Sequence, residues 1–315
     1  MPRGVQATVN TVPAPAVAGD FASANPRFTA LAGPGGYVSG AAGATIGAFC
    51  WQDWSFLDPD GNPTNINSFG NGPVTGFIAR YQQGLITQFL SDASMIIPQG
   101  FDVTVMSGGD FWVVNNGTTF AVQGQKAYAD LATGLVSFAA TGSPAQATST
   151  AASIAAGTFS VTGSVNGNVL TVTAVGSGVV VIGGIISGTG IATGTQIRNQ
   201  LSGTAGGIGT YSLSIGEQTA ASTTVSGTYG TLTVGGTIVG TIPVGAAVGG
   251  SGVTAGTVIT ARGTGTGGAG TYIVNTTQTV GSEALTFNTN VETKWIAMSQ
   301  AAAGELIKIS DHPLG

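Results

Sequence analysis

Residues 151–290 contain 31 glycines and only four charged residues, Arg198, Glu217, Arg262 and Glu283. That density rules out helices, because each glycine inside a helix costs about 1 kcal/mol relative to alanine. Short runs of Val, Ile, Thr and Leu punctuated by glycine suit antiparallel strands joined by tight turns, where glycine supplies positive φ without steric cost. The region is also repetitive. The segment "NVLTVTAVGSG…GTQIRNQLSGTAGGIGTYSLSIGEQT" aligns with "GTLTVGGTIVG…GTVITARGTGTGGAGTYIVNTTQT", pairing Leu170 with Leu232, Thr195 with Thr257 and Tyr211 with Tyr272. A period near sixty residues predicts two small β-units, about 157–228 and 229–290, each a sandwich or barrel or half of one.

Within the second unit, "GTGTGGAGTYIVNTTQTV" spaces Gly265, Gly267 and Gly270 as a dinucleotide-binding loop would. Such a loop must lead into a helix whose N-terminus meets the pyrophosphate. Gly270 leads into a β-propensity run instead, and the companion unit keeps the glycine-rich turn without that spacing. The motif therefore reads as a turn between strands, and no cofactor is expected.

Outside this region the texture changes. Residues 1–30 alternate small residues with Pro13, Pro15 and Pro26 and show no periodic apolar face. They read as an extended arm, which either trails freely or lies across a neighbour with Phe21 and Phe28 as anchors and Arg3 and Arg27 as pairing groups. Residues 31–143 carry most of the aromatics and recurrent strand signals, among them "ATIGAFCWQDWSF", "DFWVVNN" and "GLVSFAA", with turns at "DPDGNP", "SGGD" and "NNG". Residues 75–95 fit either a strand or a short helix. A small, uncharged stretch, about 144–156, reads as a linker. The segment 291–315 restores charge and Trp295 and is expected to rejoin the first domain, which makes 157–290 an insertion.

Chemistry-bearing groups are sparse. Eight Lys and Arg against 13 Asp and Glu give a formal net charge of −5 without a basic cluster, so nucleic acid is not an expected partner. A lone Cys50 and a lone His312 leave no intrachain disulfide and no Cys/His zinc site. Cys50 sits in an apolar strand as an inert thiol, and His312 lies in a Pro-containing tail, so no catalytic residue is assigned. Asp58, Asp60 and Asn62 resemble the start of a calcium loop, but Gly61 comes at the fourth position and Phe69 at the twelfth; a solvated turn fits better, with a weak site shared between chains as the alternative. No pair stands out among Asp53, Asp58, Asp92, Asp102 and Asp110 for glycoside hydrolysis. Phe49, Trp51, Trp54 and Phe56 read as core, with sugar stacking as the minority role. Residues 174–192 are apolar but rich in Gly, Ser and β-branched residues, which suits strands, so no membrane span and no export signal are read.

The order of "NPRFTALAGPGGYVSGAAGATIGAFCWQD", "GFIARYQQGLITQFLSDASMIIPQGFDVTVMSGGDFWVVNNGTTFAVQGQKAYADLATGLVSFAATG" and "ETKWIAMSQAAAGELIKIS" resembles the structural cement, or capsid decoration, proteins of tailed bacteriophages over residues 25–142 and 292–310. The resemblance implies an all-β, β-barrel or β-sandwich cement domain with an extended N-terminal arm and an inserted Gly-rich β-domain of two repeats. It also implies a non-enzymatic role on the outer surface of the virion, where a homo-oligomer, a trimer by preference or a dimer, joins adjacent copies of the major capsid protein. An acidic chain suits that outer face. The competing expectation is an adhesin whose Gly-rich units bind a host-surface glycan weakly.

Overall fold

The computed structural model describes residues 16–58, 60–81 and 95–312. Among these residues there is no helix, and the fold is all-β. The strands before the Gly-rich region are β1 (Phe28–Thr29), β2 (Val38–Ser39), β3 (Ala44–Thr45), β4 (Phe49–Leu57), β5 (Pro63–Asn67), β6 (Gly76–Ile78), β7 (Ile96–Ile97), β8 (Val105–Gly108), β9 (Asp110–Val114), β10 (Lys126–Asp130) and β11 (Val136–Ala139). Next come β12 (Gln146–Gly167), β13 (Val169–Ser177), β14 (Ile185–Ser187), β15 (Ile197–Gly203), β16 (Gly209–Leu213), β17 (Gln218–Val239), β18 (Val248–Gly249), β19 (Ile259–Arg262), β20 (Gly270–Val274) and β21 (Val280–Asn288). β22 (Asn290–Ala297) and β23 (Leu306–Ser310) end the series.

A six-stranded sheet, β1-β8-β6-β4-β5-β2, packs against a five-stranded one, β11-β10-β22-β23-β9. Phe49, Trp51 and Phe77 from the first meet Phe111, Trp295 and Ile307 from the second, all buried in one apolar cluster. The rings interlock: Phe77 stacks on Phe111 at 4.6 Å between centroids, and Phe49 tilts against Trp295 at 5.2 Å. Trp295 completes its polar need by donating Nε1–H to the Gly109 carbonyl at 3.1 Å. The far face of the six-stranded sheet buries Cys50, Ile66, Ile78 and Val105 under Tyr37, Ile46 and Ile97. The start of β4 is thus buried on both faces, which is why its sequence opens with an unbroken apolar run, "FCW", whereas further along Trp54 is half-buried and Phe56 is exposed. Of the ambiguous stretch 75–95, the described part contains the strand β6, and residues 82–94 lie outside the described residues.

The last two strands sit inside the five-stranded sheet, β22 between β10 and β23, and β23 against β9. Everything between β11 and β22 forms a separate ten-stranded sheet. Where the chain leaves and returns, Gly142 N–H donates to Glu292 Oε2 at 2.7 Å, as does the Tyr128 hydroxyl at 2.9 Å. Ala145 N–H bonds Asn290 Oδ1 at 2.8 Å, and Thr289 N–H bonds the Ala145 carbonyl at 2.8 Å. The two crossings are fastened to each other.

Two 22-residue strands, β12 and β17, form the spine of the Gly-rich sheet and pair antiparallel along nearly their whole length. The ladder is centred on Thr158 opposite Thr228, flanked symmetrically by Gly157 opposite Tyr229 and Phe159 opposite Gly227. On one side of that centre, β12 also pairs with β13, and β13 with β16, around a core holding Phe159, Leu170, Ile197 and Tyr211. On the other side, β17 also pairs with β20 around a second core holding Ile154, Leu232, Ile259 and Tyr272. The aligned residues occupy matching places, with Leu170 opposite Tyr211 in one unit and Leu232 opposite Tyr272 in the other. The Gly-x-Gly-x-x-Gly stretch is the turn between β19 and β20. It wraps the Tyr272 hydroxyl, which donates to the Gly268 carbonyl at 2.7 Å, and the companion Tyr211 hydroxyl does the same to Gly207 at 2.7 Å. Gly270, at φ +137°, lies so close to Gly265 that a side chain there would strike backbone.

One expectation needs correcting. Residues 146–156, within the stretch read as a linker, are the first half of β12 and supply a strand to the second unit, pairing with β21 and with the end of β17. Small uncharged residues are common to flexible linkers and to strands crowded on both sides; only the alternation separates the two. Ala147 and Ser149 are buried while Gln146, Thr148 and Thr150 are exposed. The second unit is therefore discontinuous in sequence. Ile154→Ala, at a site 1% exposed, should destabilise the full chain by about 2–5 kcal/mol in denaturant unfolding; a linker position would shift it by less than about 0.5 kcal/mol.

Candidate functional site

The residues expected to make contacts with other proteins lie at the N-terminal end. Arg3 falls outside the described residues. From residue 16 the chain is not a free arm. Gly19 N–H bonds the Trp112 carbonyl at 2.7 Å, Trp112 N–H bonds Asp20 at 2.8 Å, and Ala22 N–H bonds Asp110 at 2.9 Å. These bonds cover the outer edge of β9, the last strand of its sheet, which would otherwise present unpaired backbone groups. Six residues later β1 joins the opposite sheet by pairing with β8. The strap formed by residues 17–29 thereby ties the two sheets together along one side.

Side chains reinforce it. Phe21 is half-buried, edge-on to Tyr81 at 5.3 Å and tilted against Phe111 at 5.6 Å, and the Arg27 guanidinium lies 3.9 Å above its ring. Arg80 pairs with Asp20 at 3.2 Å and donates its backbone N–H to Gly19 at 2.8 Å. Asp110 Oδ2 accepts from Ser23 Oγ at 2.5 Å and from Asn25 Nδ2 at 2.6 Å. His312 Nε2 donates to the Pro26 carbonyl at 3.2 Å, since a carbonyl can only accept.

Of the four contact candidates, Phe21 faces its own core, Arg27 caps it, and Phe28 points outward at 55% exposure. Residues 23–29 form a continuous exposed run, and just beyond it Leu31 is 94% exposed. Leu31 was not singled out in the sequence, because an isolated leucine among small residues carries no periodic signal. Together Phe28 and Leu31 are apolar groups offered to solvent beside a rigid sandwich edge.

The other motifs resolve locally. Asp58 Oδ1 accepts from Asp60 N–H at 2.9 Å and Asn62 N–H at 2.8 Å, so the calcium-like loop uses its own carboxylate to close a turn. Burial pushes the Cys50 thiol far above its ordinary range, which leaves it un-ionised. Asp110, Asp311 and His312 bring ligand-type atoms within 4.8 Å of one another. Asp311 is already engaged, accepting from Gly109 N–H at 2.7 Å and pairing with Lys294 at 2.8 Å, while Asp110 keeps Oδ1 buried without a hydrogen-bond partner.

Two carboxylates hold the seams and both titrate low. For Asp110 burial alone would raise the value, but hydrogen bonds from Ser23, Ser310 and Asn25 outweigh it and hold it below the ordinary 3.8. Glu292 is held below 4.5 chiefly by the Gly142 N–H. A depressed folded value contributes stability that is complete above the unfolded pKa and vanishes as pH falls through the folded one. The strap and the junction should therefore stay fastened at neutral pH and loosen only on acidification below 3.8 and 4.5, respectively. Amide chemical shifts of Asn25 and Gly142 should report these transitions, and Asp110→Asn and Glu292→Gln should each abolish its own transition alone.

The model of the XM1 gp53 minor capsid protein family matches residues 5–175, more than half of the chain. That span includes the strap, both sheets up to β11, the outgoing crossing of the junction, β12 and most of β13. No curated protein and no solved structure matches the chain.

Proposed function

The chain belongs to the XM1 gp53 minor capsid protein family of phage structural proteins, and on that premise we propose that it cements the shell from outside without catalysis. In this reading it sits on the outer surface of the head, bridges adjacent major capsid subunits, and does so as a homo-oligomer, a trimer by preference. The observation that carries the proposal is the exposed run 23–29 with Leu31 just beyond it, fixed to the sandwich at both ends and presenting Phe28 and Leu31. Arg27 beside it, and Arg3 in the preceding segment, supply the pairing groups.

Physical chemistry favours this placement. A chain of net charge −5 is repelled by packaged nucleic acid and suits the face away from it. A surface so poor in charge binds through apolar anchors and backbone edges. Each contact is modest, but an oligomer spanning several fixed subunits gains from effective concentration. Binding only the assembled shell stabilises that shell by mass action. The buried thiol of Cys50 and the engaged ring of His312 fit a structural role.

The paired variant Phe28→Asp/Leu31→Asp changes two exposed side chains and should leave the unfolding free energy within about 1 kcal/mol of the parent. Its occupancy on purified heads, measured by quantitative gel densitometry against the major capsid band, should fall about tenfold, the loss expected of two apolar anchors. Deleting residues 1–15 tests the preceding segment without uncovering the β9 edge. Full occupancy by both variants would overturn the strap as the capsid contact.

A further inference from the structure

A cleft of about 700 Å³ separates the sandwich from the Gly-rich sheet, within the range of roughly 300–1,000 Å³ typical of small-molecule sites. Residues 151–290 contain just two cations, Arg198 and Arg262, and both line this cleft. They come from corresponding strands, β15 in one unit and β19 in the other, which lie at the two ends of the seven-strand path through the ten-stranded sheet. The ends are drawn together where Thr260 donates its hydroxyl to the Ile182 carbonyl at 2.8 Å. Curling the sheet thus gathers all the positive charge of this half of the molecule at one mouth.

The facing wall belongs to the sandwich and has a different character. Trp54 is half-buried, with the Arg198 guanidinium 5.5 Å from its ring, and Phe69 is 44% exposed. Between them Asn67 Nδ2 donates to Asp53 Oδ2 at 2.8 Å, which fixes a carboxylate and an amide on the cleft floor. Among the described residues no carboxylate forms a salt bridge with either arginine. Arg198 is also partly stripped of water, and that desolvation pulls its pKa down. A guanidinium in that condition gains most from a planar, bidentate anion.

We propose that this cleft binds an acidic saccharide, a short glycan bearing ring carboxylates, with Arg198 and Arg262 on the carboxylate and Trp54 and Phe69 against the sugar faces. Asp53 and Asn67 meet the hydroxyls. A polyphosphate has no hydroxyl donor to turn toward the fixed Asp53 carboxylate, whereas a saccharide sets its hydroxyls there and its carboxylate on the arginines; a fully apolar ligand would leave both guanidinium groups desolvated without a partner. The site needs both halves of the molecule, so neither half alone suffices, and it is independent of how the strap engages a shell.

The test is titration calorimetry on the full chain with trigalacturonate and sialyllactose as probes, and with lactose, inorganic phosphate and triglutamate as comparisons. At least one acidic saccharide should bind about tenfold more tightly than lactose, phosphate or triglutamate. Arg198→Ala/Arg262→Ala should weaken it about tenfold, and Trp54→Ala should do so as well, with every variant still unfolding cooperatively above the titration temperature. Failure of both acidic saccharides to bind would overturn the proposal, as would equal binding of any comparison ligand or full retention of affinity in the variants.

Discussion

The architecture depends on a single backbone ladder. β12 and β17 each run through both Gly-rich units and pair with each other across the unit boundary. In a region with four charged residues there are few side-chain bonds to hold units in register, so the main chain must do it. Every interior N–H and C=O of these strands needs a partner, and the shared ladder provides partners on one edge for both units at once. Its centre is built to be narrow. The Phe159 ring lies over Gly227 and the Tyr229 ring over Gly157, positions where a Cβ would overlap the aromatic atoms. Glycine lets the two rings, both of the first core, close that core off at the boundary with the second.

That arrangement explains what was and was not legible in the sequence. The all-β class followed directly from glycine density and β-branched runs, and the repeat was visible because Leu170/Leu232 and Tyr211/Tyr272 fill equivalent places in two cores. The turn character of the Gly265–Gly270 stretch was legible too, since a helix is required for the alternative. The first half of β12 was not, because "QATSTAASIAA" carries the composition of a linker and its partners lie about 80 and 140 residues away. Long-range pairing leaves no local mark beyond a two-residue alternation of small side chains. The same holds for the strap: nothing in "AGDFASANPRF" announces that it will cover the edge of β9, because its bonds are made by backbone, which every sequence has.

The strap and the junction follow a common plan. At each, a segment that crosses between layers is held by one carboxylate collecting hydrogen bonds from a neighbouring segment: Asp110 from Ser23 and Asn25, and Glu292 from Gly142 and Tyr128. A carboxylate with several donors is a stronger fastening than a neutral acceptor, and it is placed where ladders end and backbone pairing cannot continue. Two of the few charges in this molecule are therefore spent at topological seams. The scarcity of ionisable residues makes each one interpretable, in a way that a surface with ordinary charge density would not allow.

By that standard the two arginines of the Gly-rich region stand apart. Asp110 and Glu292 have visible partners and a structural task, whereas Arg198 and Arg262 meet no carboxylate among the described residues and front a cleft. A duplicated unit with no other cation has no structural need for two at one mouth, and partial burial makes Arg198 costly to keep there. A partly desolvated guanidinium whose internal contact is the Trp54 ring and not a carboxylate retains the capacity to pair with an external anion. The curled sheet delivers both arginines to the wall opposite Trp54, so the same ladder that organises the fold also assembles the cleft.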